Sequence, residues 1–136
     1  MMEVFFYGLF MDQDILRNNG IHPANPRKAY LNDYTLKIGD RASLVKCENE
    51  KAYGIVMTVG DDEITRLYAE KSVADYLPES VEVITDTNEQ VTATCYNLPP
   101  ALLTGTNKKY AQALHKLAEK LDFPAAYLDR IAENFT

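Results

Sequence analysis

The sequence predicts an α+β fold in which a small mixed or antiparallel, barrel-like sheet is flanked by helices. Three observations predict it: an apolar run near the N-terminus, alternating segments joined by short turns in the middle, and amphipathic helical patterns in the last third. Strands that pair early and late, with helices between and after them, are typical of this class. At 136 residues the chain is long enough to bury a core, and we expect one domain spanning residues 1–136.

The chain opens with a segment that we expect to be a strand buried on both faces. Residues 4–7 are all apolar or aromatic and leave no polar face for solvent. Gly8 ends this run, and Asp12 is a suitable N-cap for a short helix through Arg17. The backbone N–H groups between strand and helix could receive a carboxylate or an oxyanion. The alternative is a tight turn that only packs.

The middle of the chain is predicted to form antiparallel strands connected by short turns. Turn-forming residues at 18–20 and 23–26 predict a loop after the first helix. Alternating apolar residues then predict strands over 28–38, 43–45 and 52–59, with polar turns at 39–40 and 48–50. A further hairpin is expected from segments 81–85 and 91–96, which flank Thr87, Asn88 and Glu89.

Helices are predicted between these strands and at the end of the chain. Asp61 can cap a helix whose apolar residues lie at 64, 67 and 68. Thr106 or Asn107 can cap a longer helix, and Pro124 can start a last one. Both C-terminal helices have one apolar and one charged face.

Composition points to a small-molecule partner. The net charge of −6 disfavours nucleic acid, whose phosphates require a basic surface. No apolar run approaches the ~20 residues that span a bilayer, so no membrane segment is expected. Acidic Glu3 stands where a signal peptide would be basic, and Cys47 and Cys95 are far apart, so we expect a cytoplasmic chain with free thiols.

No cofactor or metal is expected from the motifs. His22 and His115 are isolated, and neither cysteine has a neighbour at metal-ligand spacing. The sequence has no P-loop, no GxGxxG and no GxSxG turn.

Among the acidic residues, Glu70 has a sequence context that suits a general base. It follows Tyr68 and precedes Tyr76, and such aromatic neighbours could shield it from water and favour its neutral form. The alternative is a solvated glutamate at a helix end. Arg41 follows Asp40 in a predicted turn and is a candidate pocket cation.

Three segments resemble the γ-glutamylcyclotransferase-like superfamily, in the order in which that family has them. Residues 6–11, Phe-Tyr-Gly-Leu-Phe-Met, are similar to its aromatic-Tyr-Gly-Ser/Thr-Leu-Met opening. Residues 67–70, Leu-Tyr-Ala-Glu, with Tyr76 and the Val-Glu-Val of 81–83, resemble its Glu-Gly, Tyr and Val-x-Val block. Residues 121–127, preceded by Tyr110, are similar to its Gly-Leu-Pro-x-x-Tyr close.

The resemblance implies a barrel-like fold with a pocket at the end of the first strand. It also implies that a γ-glutamyl amide is cyclised to 5-oxoproline, with release of an amine and without a cofactor. The expected substrate is a small γ-glutamyl amine, amino acid or peptide rather than glutathione. A rival interpretation is a non-catalytic small-molecule binding module on the same fold, and a second is a structural or interaction protein. The oligomeric state stays open.

The resemblance also assigns roles to individual residues. The backbone N–H groups of Tyr7, Gly8, Leu9 and Phe10 would hold the substrate's α-carboxylate or its polarised carbonyl. Glu70 would be the general acid and base. Tyr76 would line the pocket or bond the carboxylate.

The chain departs from the family pattern at three positions that bear on substrate identity and activity. Leu9 replaces a hydroxyl residue, Lys71 replaces the glycine after the glutamate, and Pro78 stands where many members have arginine.

Overall fold

Five strands close into a barrel in the computed structural model, which describes all of residues 1–136. The barrel order is β1-β3-β2-β4-β5, and the strands are β1 (Met2–Phe6), β2 (Ala24–Ile38), β3 (Ala42–Val59), β4 (Leu77–Thr85) and β5 (Gln90–Asn97). Neighbouring strands are antiparallel except at the closure, where β1 runs parallel to β5. The predicted fold class, a barrel-like mixed sheet with flanking helices, is therefore confirmed.

The helices lie between the strands and after them, as predicted. They are α1 (Gln13–Asn18), α2 (Asp61–Leu67), α3 (Lys108–Lys120) and α4 (Ala125–Ala132), with short 3-10 helices at Leu9–Met11 and Pro100–Leu102. None of them combines the length and the apolar composition needed to cross a bilayer.

Side-chain caps explain where two of these helices begin. The Asp12 carboxylate accepts a hydrogen bond from the Asp14 N–H at 2.9 Å, and the Asn107 side chain accepts one from the Tyr110 N–H at 2.9 Å. The prediction that Asp61 caps α2 is wrong by one residue, because Gly60 is the N-cap. The Glu63 carboxylate accepts a hydrogen bond from the Gly60 N–H at 3.4 Å, so this backbone donor at the start of α2 has a partner.

Two segments that were predicted as a loop or turn are irregular stretches of strand. β2 already begins at Ala24, and its register with β3 shifts between Ala24 and Arg27, around Asn25 at φ 52°. The predicted turn at 48–50 is also wrong, since β3 is continuous there. Asn32 pairs with Lys51 and Tyr34 with Lys46, so residues 47–50 form a bulge opposite Asp33 alone.

The core has two layers that share β1. Val4 and Phe6 pack outward against the helices, in a cluster that includes Leu114 and Ile131. Phe5 and Tyr7 point into the barrel with residues of the other strands. β1 is thus buried on both faces, as its sequence predicts.

Candidate functional site

A cavity of about 290 Å³ opens where β1 ends. Aromatic side chains make up half of its wall, and these are Phe5, Phe6, Tyr7, Phe10, Tyr68, Tyr76, Tyr96 and Tyr110. The remaining lining residues include Gly8, Leu9, Asp40, Arg41, Ser72 and Val73. A largely apolar cavity with few convergent polar groups is the usual form of a small-molecule site.

The segment from Tyr7 to Phe10 forms one side of this cavity. Gly8 leads from β1 into the 3-10 helix Leu9–Met11, whose first N–H groups have no acceptor within the helix. A side chain at Gly8 would place its Cβ 2.5 Å from the Tyr110 hydroxyl, so the tyrosine in this position favours glycine. Burial raises the pKa of the Tyr110 hydroxyl, and the neighbouring Leu9 N–H opposes that rise.

Two tyrosine hydroxyls at the site are bound to the main chain. Tyr7 donates to the Tyr96 carbonyl at 2.6 Å, and Tyr76 donates to the Ala42 carbonyl at 2.5 Å. Burial raises the pKa of Tyr76 to about 12, although the nearby Arg41 guanidinium opposes the shift. Burial also raises the pKa of Tyr7 well above its ordinary value. Both hydroxyls are therefore neutral at physiological pH, and they fix the aromatic rings in place.

A stack of aromatic rings forms another wall. The rings of Tyr68 and Tyr96 are parallel within 11°, with centroids 3.9 Å apart. Phe10 meets Tyr68 edge-on at 6.2 Å, which connects the stack to the 3-10 helix. The turn after α2, the strand β5 and the exit of β1 are thus held together by side chains that line one cavity.

Arg41 stands at the rim of the cavity and is its only basic lining residue. Its Nη1 lies 3.1 Å from Asp75 Oδ2 and 3.5 Å from the Ser72 carbonyl oxygen. Its Cζ lies 5.9 Å from the centroid of the Tyr76 ring. The side chain remains 31% exposed, so this cation can be reached by a ligand.

Glu70 lies in the turn that follows α2, outside the set of cavity-lining residues. Its backbone N–H donates to Leu67 at 3.3 Å, and its carbonyl accepts from Val73 at 3.0 Å. The side chain is exposed, whereas its neighbours Tyr68 and Ser72 face the cavity. The structure therefore brings six of the sequence-predicted site residues to one cavity, namely Tyr7, Gly8, Leu9, Phe10, Arg41 and Tyr76. It places the seventh, Glu70, next to that cavity in solvent.

Sequence reasoning left some lining residues unassigned. Tyr110 precedes the C-terminal segment that resembles the family. Its spacing on the helix predicts that it lies on the apolar face, but does not predict that it reaches the cavity. Tyr96 alternates with the buried Cys95 and Asn97 on β5, so its position outside the barrel could have been predicted, but its stacking on Tyr68 could not. Sequence periodicity does not show whether Tyr53, Tyr68 and Tyr76 lie in the core or in a pocket, and the structure places Tyr68 and Tyr76 in the wall of the cavity. Tyr53 instead packs against Tyr127, with ring centroids 4.9 Å apart.

Hydrogen bonds inside the barrel support the wall behind Ala42. The Asn97 side-chain oxygen, Oδ1, accepts a hydrogen bond from the Leu44 N–H at 3.1 Å, and the Ser43 hydroxyl accepts one from the Leu98 N–H at 2.9 Å. The Glu79 carboxylate accepts from Asn97 at 3.0 Å and from the Tyr34 hydroxyl at 2.5 Å. These polar groups are paired with one another, which gives this buried network a structural role.

Comparison with known proteins identifies what the chain is similar to. The family described as gamma-glutamyl cyclotransferase, AIG2-like, matches residues 4–120. No curated protein matches the chain in sequence.

Solved structures resemble the fold closely at low sequence identity. One described as gamma-glutamyl cyclotransferase has a TM-score of 0.76 at 16% identity, and the match covers 96% of this chain and 86% of that one. An uncharacterized protein from Homo sapiens gives a TM-score of 0.76 at 17% identity over the same shares of the two chains. A protein from Arabidopsis thaliana gives 0.65 at 23% identity and covers 90% of this chain and 94% of its own. At these identities the likeness shows a shared fold.

Proposed function

Because this chain belongs to the AIG2-like gamma-glutamyl cyclotransferase family, we propose that it cyclises the γ-glutamyl group of a small γ-glutamyl amine, amino acid or peptide to 5-oxoproline. The observation that supports this most is the cavity at the exit of β1, which joins the segment from Tyr7 to Phe10 with a single cation, Arg41. All cavity-lining residues fall within the part of the chain that the family matches.

The reaction needs no co-reactant. The substrate's α-amine attacks its own γ-carbonyl carbon, a C–N bond closes the five-membered ring, and the original amide C–N bond breaks. The two protons that the α-ammonium group loses end on the leaving nitrogen. The first proton leaves when the α-ammonium group becomes the attacking amine and reaches the released amine through solvent. A base accepts the second as the ring closes and gives it to the leaving nitrogen, and we assign this role to Glu70.

The other residues would position the substrate. Arg41 suits the α-carboxylate because a guanidinium binds a carboxylate through two parallel hydrogen bonds. The N–H groups that begin the 3-10 helix can stabilise the oxyanion that forms from the γ-carbonyl. The amine and the carbonyl already belong to one molecule, so the site lowers the barrier only by fixing the rotatable bonds between them in the conformation that closes the ring. The aromatic wall excludes water from the γ-carbonyl, which strengthens the hydrogen bonds that its oxyanion accepts.

Glu70 acts in this scheme only after its side chain turns from solvent towards the cavity. It is two residues from Tyr68 and two from Ser72, which both line the cavity, so the required displacement is local. The test is turnover by Glu70→Gln, which keeps the size of the side chain but removes the base. We expect kcat for 5-oxoproline release to fall by about 10²–10⁴-fold.

Glu119→Gln provides the matched control, because Glu119 is an exposed glutamate on α3 outside the cavity. Several γ-glutamyl amides should be incubated with each variant, and both 5-oxoproline and the free amine quantified. Equal rates for Glu70→Gln, Glu119→Gln and the parent chain would show that the base is another group.

A non-catalytic binding module is the second candidate, and two observations favour it. The side chain of Glu70 is exposed, and Leu9 lines the cavity where the family pattern has a hydroxyl residue, which removes a donor. A chain of this kind would bind γ-glutamyl amides, with a calorimetric signal that saturates, but would release no 5-oxoproline from any of them.

A further inference from the structure

Arg41 is one of several side chains that tie the turn between α2 and β4 to the cavity, beside the Tyr76 hydroxyl that bonds the Ala42 carbonyl and the Tyr68 ring that stacks on Tyr96. Arg41, just before β3, contacts the Asp75 carboxylate and the Ser72 carbonyl oxygen through the same nitrogen, Nη1. It also lies over the Tyr76 ring. Three residues of the turn, Ser72, Asp75 and Tyr76, therefore interact with one guanidinium group.

Arg41 has a second task if the proposed function is correct. As the only basic lining residue, it is the only cation that a substrate carboxylate can meet inside the cavity. An unpaired carboxylate against aromatic walls is strongly disfavoured, so the ligand must approach this guanidinium. Two carboxylates at one guanidinium repel each other, and the one with better access to water leaves more readily.

Asp75 is the carboxylate with access to water. Its side chain is 55% exposed, and an ion pair that is this exposed holds its partner weakly. A ligand carboxylate inside the cavity has no comparable hydration. Exchange of Asp75 for the ligand at Arg41 is therefore the favourable direction.

Glu70 lies on the same turn, five residues before Asp75. Inside the turn, the Val73 N–H donates to Glu70 and the Tyr76 N–H donates to Val73, at 3.0 and 3.1 Å. A change at Asp75 is therefore transmitted through two short hydrogen-bonded steps to Glu70.

Building on the proposed function, we propose that Asp75 is a positioning residue that the substrate's α-carboxylate displaces from Arg41. The displacement frees residues 70–75 of the turn, while Tyr68 stays stacked on Tyr96 and Tyr76 stays bonded to Ala42, and Glu70 then approaches the cavity. The turn thus responds to a ligand that carries the α-carboxylate and not to one that merely fills the aromatic pocket.

The test compares two probes, L-γ-glutamyl butylamide and the analogue whose α-carboxylate is an α-carboxamide. Both are titrated calorimetrically into the full chain carrying Glu70→Gln, into the same chain with Asp75→Asn, and into the same chain with Asp129→Asn. Asp129 is an exposed aspartate on α4 that forms no ion pair, and it serves as the control.

We expect Asp75→Asn to tighten binding of the carboxylate probe by about 2–5-fold, because a competitor for Arg41 has been removed. Binding of the carboxamide probe should not change, and Asp129→Asn should affect neither probe. Weaker binding of the carboxylate probe to Asp75→Asn would mean that Asp75 orients Arg41, and unchanged binding would mean that it does not compete. Either result overturns the proposal.

Hydrogen exchange of the Glu70→Gln chain gives a readout that does not depend on turnover, because this chain does not consume the probe. The amides of Val73 and Tyr76 should exchange several-fold faster with the carboxylate probe bound, and also in Asp75→Asn without ligand. The amide of Ile64, which bonds Gly60 in α2, should not change. Equal acceleration by both probes, or none by either, overturns the displacement.

The outcomes also separate this inference from the function on which it rests. If neither probe binds and no 5-oxoproline forms from any γ-glutamyl amide, both fail. If 5-oxoproline forms but the affinity and exchange rates do not respond to Asp75→Asn, only the displacement fails.

Discussion

At position 8 any side chain larger than a hydrogen atom would meet the hydroxyl group of Tyr110. A Cβ there would lie 2.5 Å from the tyrosine oxygen and 3.8 Å from the ring carbon that carries it. The close contact connects the start of α3 with the exit of β1. Gly8 is thus set by tertiary packing, in addition to the turn that its sequence context predicts.

We expect Gly8→Ala to destabilise the fold by about 1–3 kcal/mol through overpacking. Tyr110→Phe removes the oxygen that the new methyl group meets, so Gly8→Ala should be much better tolerated in that background. Urea unfolding of the parent chain, both single variants and the double variant gives the interaction energy. Additive effects of the two substitutions would show that the alanine is opposed by something other than the hydroxyl.

At this scale the sequence predicted which residues meet, but not the environment of each. The segment from Tyr7 to Phe10 lines the cavity because it directly follows β1, at whose end the cavity opens. The expected shielding of Glu70 by Tyr68 and Tyr76 is not found, and α2 already ends at Leu67. Residues 68 and 70 are two positions apart and would not share a face even in a continuing helix. In the turn, the rings of Tyr68 and Tyr76 line the cavity while the Glu70 side chain is exposed.

At the scale of elements, the long hairpin of β2 and β3 is shaped by irregularities. Asn49 in the bulge and Asp33 opposite it have φ of 67° and 65°, and the Asp33 carboxylate accepts a hydrogen bond from the Asn49 N–H at 3.1 Å. Such backbone angles favour glycine, asparagine and aspartate. The bulge bends the hairpin, as bulges do in small barrels.

Asn49 allows a test of this backbone geometry because its side chain is exposed. Replacing it by glycine should leave the free energy of unfolding nearly unchanged, whereas Asn49→Ala should lower it by about 1 kcal/mol through strain in the left-handed region. The hydrogen bond to Asp33 comes from the backbone and is present in both variants. Thermal unfolding of the two variants side by side is the measurement, and equal stability would contradict the strained angle.

The same residues explain why sequence patterns mislocated two boundaries. Asparagine and proline at 23–26 and the polar residues at 48–50 indicate unusual backbone angles, which occur in chain reversals and in bulges alike. Alternation predicted the strands because burial of one face is a local property. Whether an irregular stretch turns the chain or only bends it depends on the partner strand, which no local pattern encodes.

For the whole molecule, burial of ionisable hydroxyl and thiol groups links stability to alkaline pH. Burial raises the pKa of Cys95 from 9.0 to about 12 and that of Tyr76 from 10.0 to about 12. Burial also raises the pKa of Tyr7, Tyr68 and Tyr110. These groups favour the folded state fully below their unfolded pKa, and that contribution is lost as pH rises towards the folded values.

We therefore expect the free energy of unfolding to decrease steadily from about pH 9 towards pH 12. Urea unfolding at a series of alkaline pH values measures this, and tyrosinate absorbance follows the ionisation. In the native chain most tyrosines should ionise only together with unfolding. Full tyrosinate absorbance near pH 10 in a chain that is still folded would contradict the burial of these side chains.

The barrel as a whole could be predicted only as a class. Local patterns indicate strands, hairpins and helices, and the family resemblance implies that the sheet curves. The order β1-β3-β2-β4-β5 and the parallel contact between β1 and β5 depend on pairings between distant segments, which periodicity does not contain.

The way the barrel closes has a consequence for synthesis on the ribosome. Val4 pairs with Met57 on one side and with Thr94 on the other, so the first strand to be made waits for one of the last. A nascent chain stopped before β5 retains an open seam beside an apolar segment, which can pair with any other extended chain nearby. The barrel can therefore close only after most of the chain has been translated. Until then β1 has one unpaired edge that is exposed to neighbouring polypeptides.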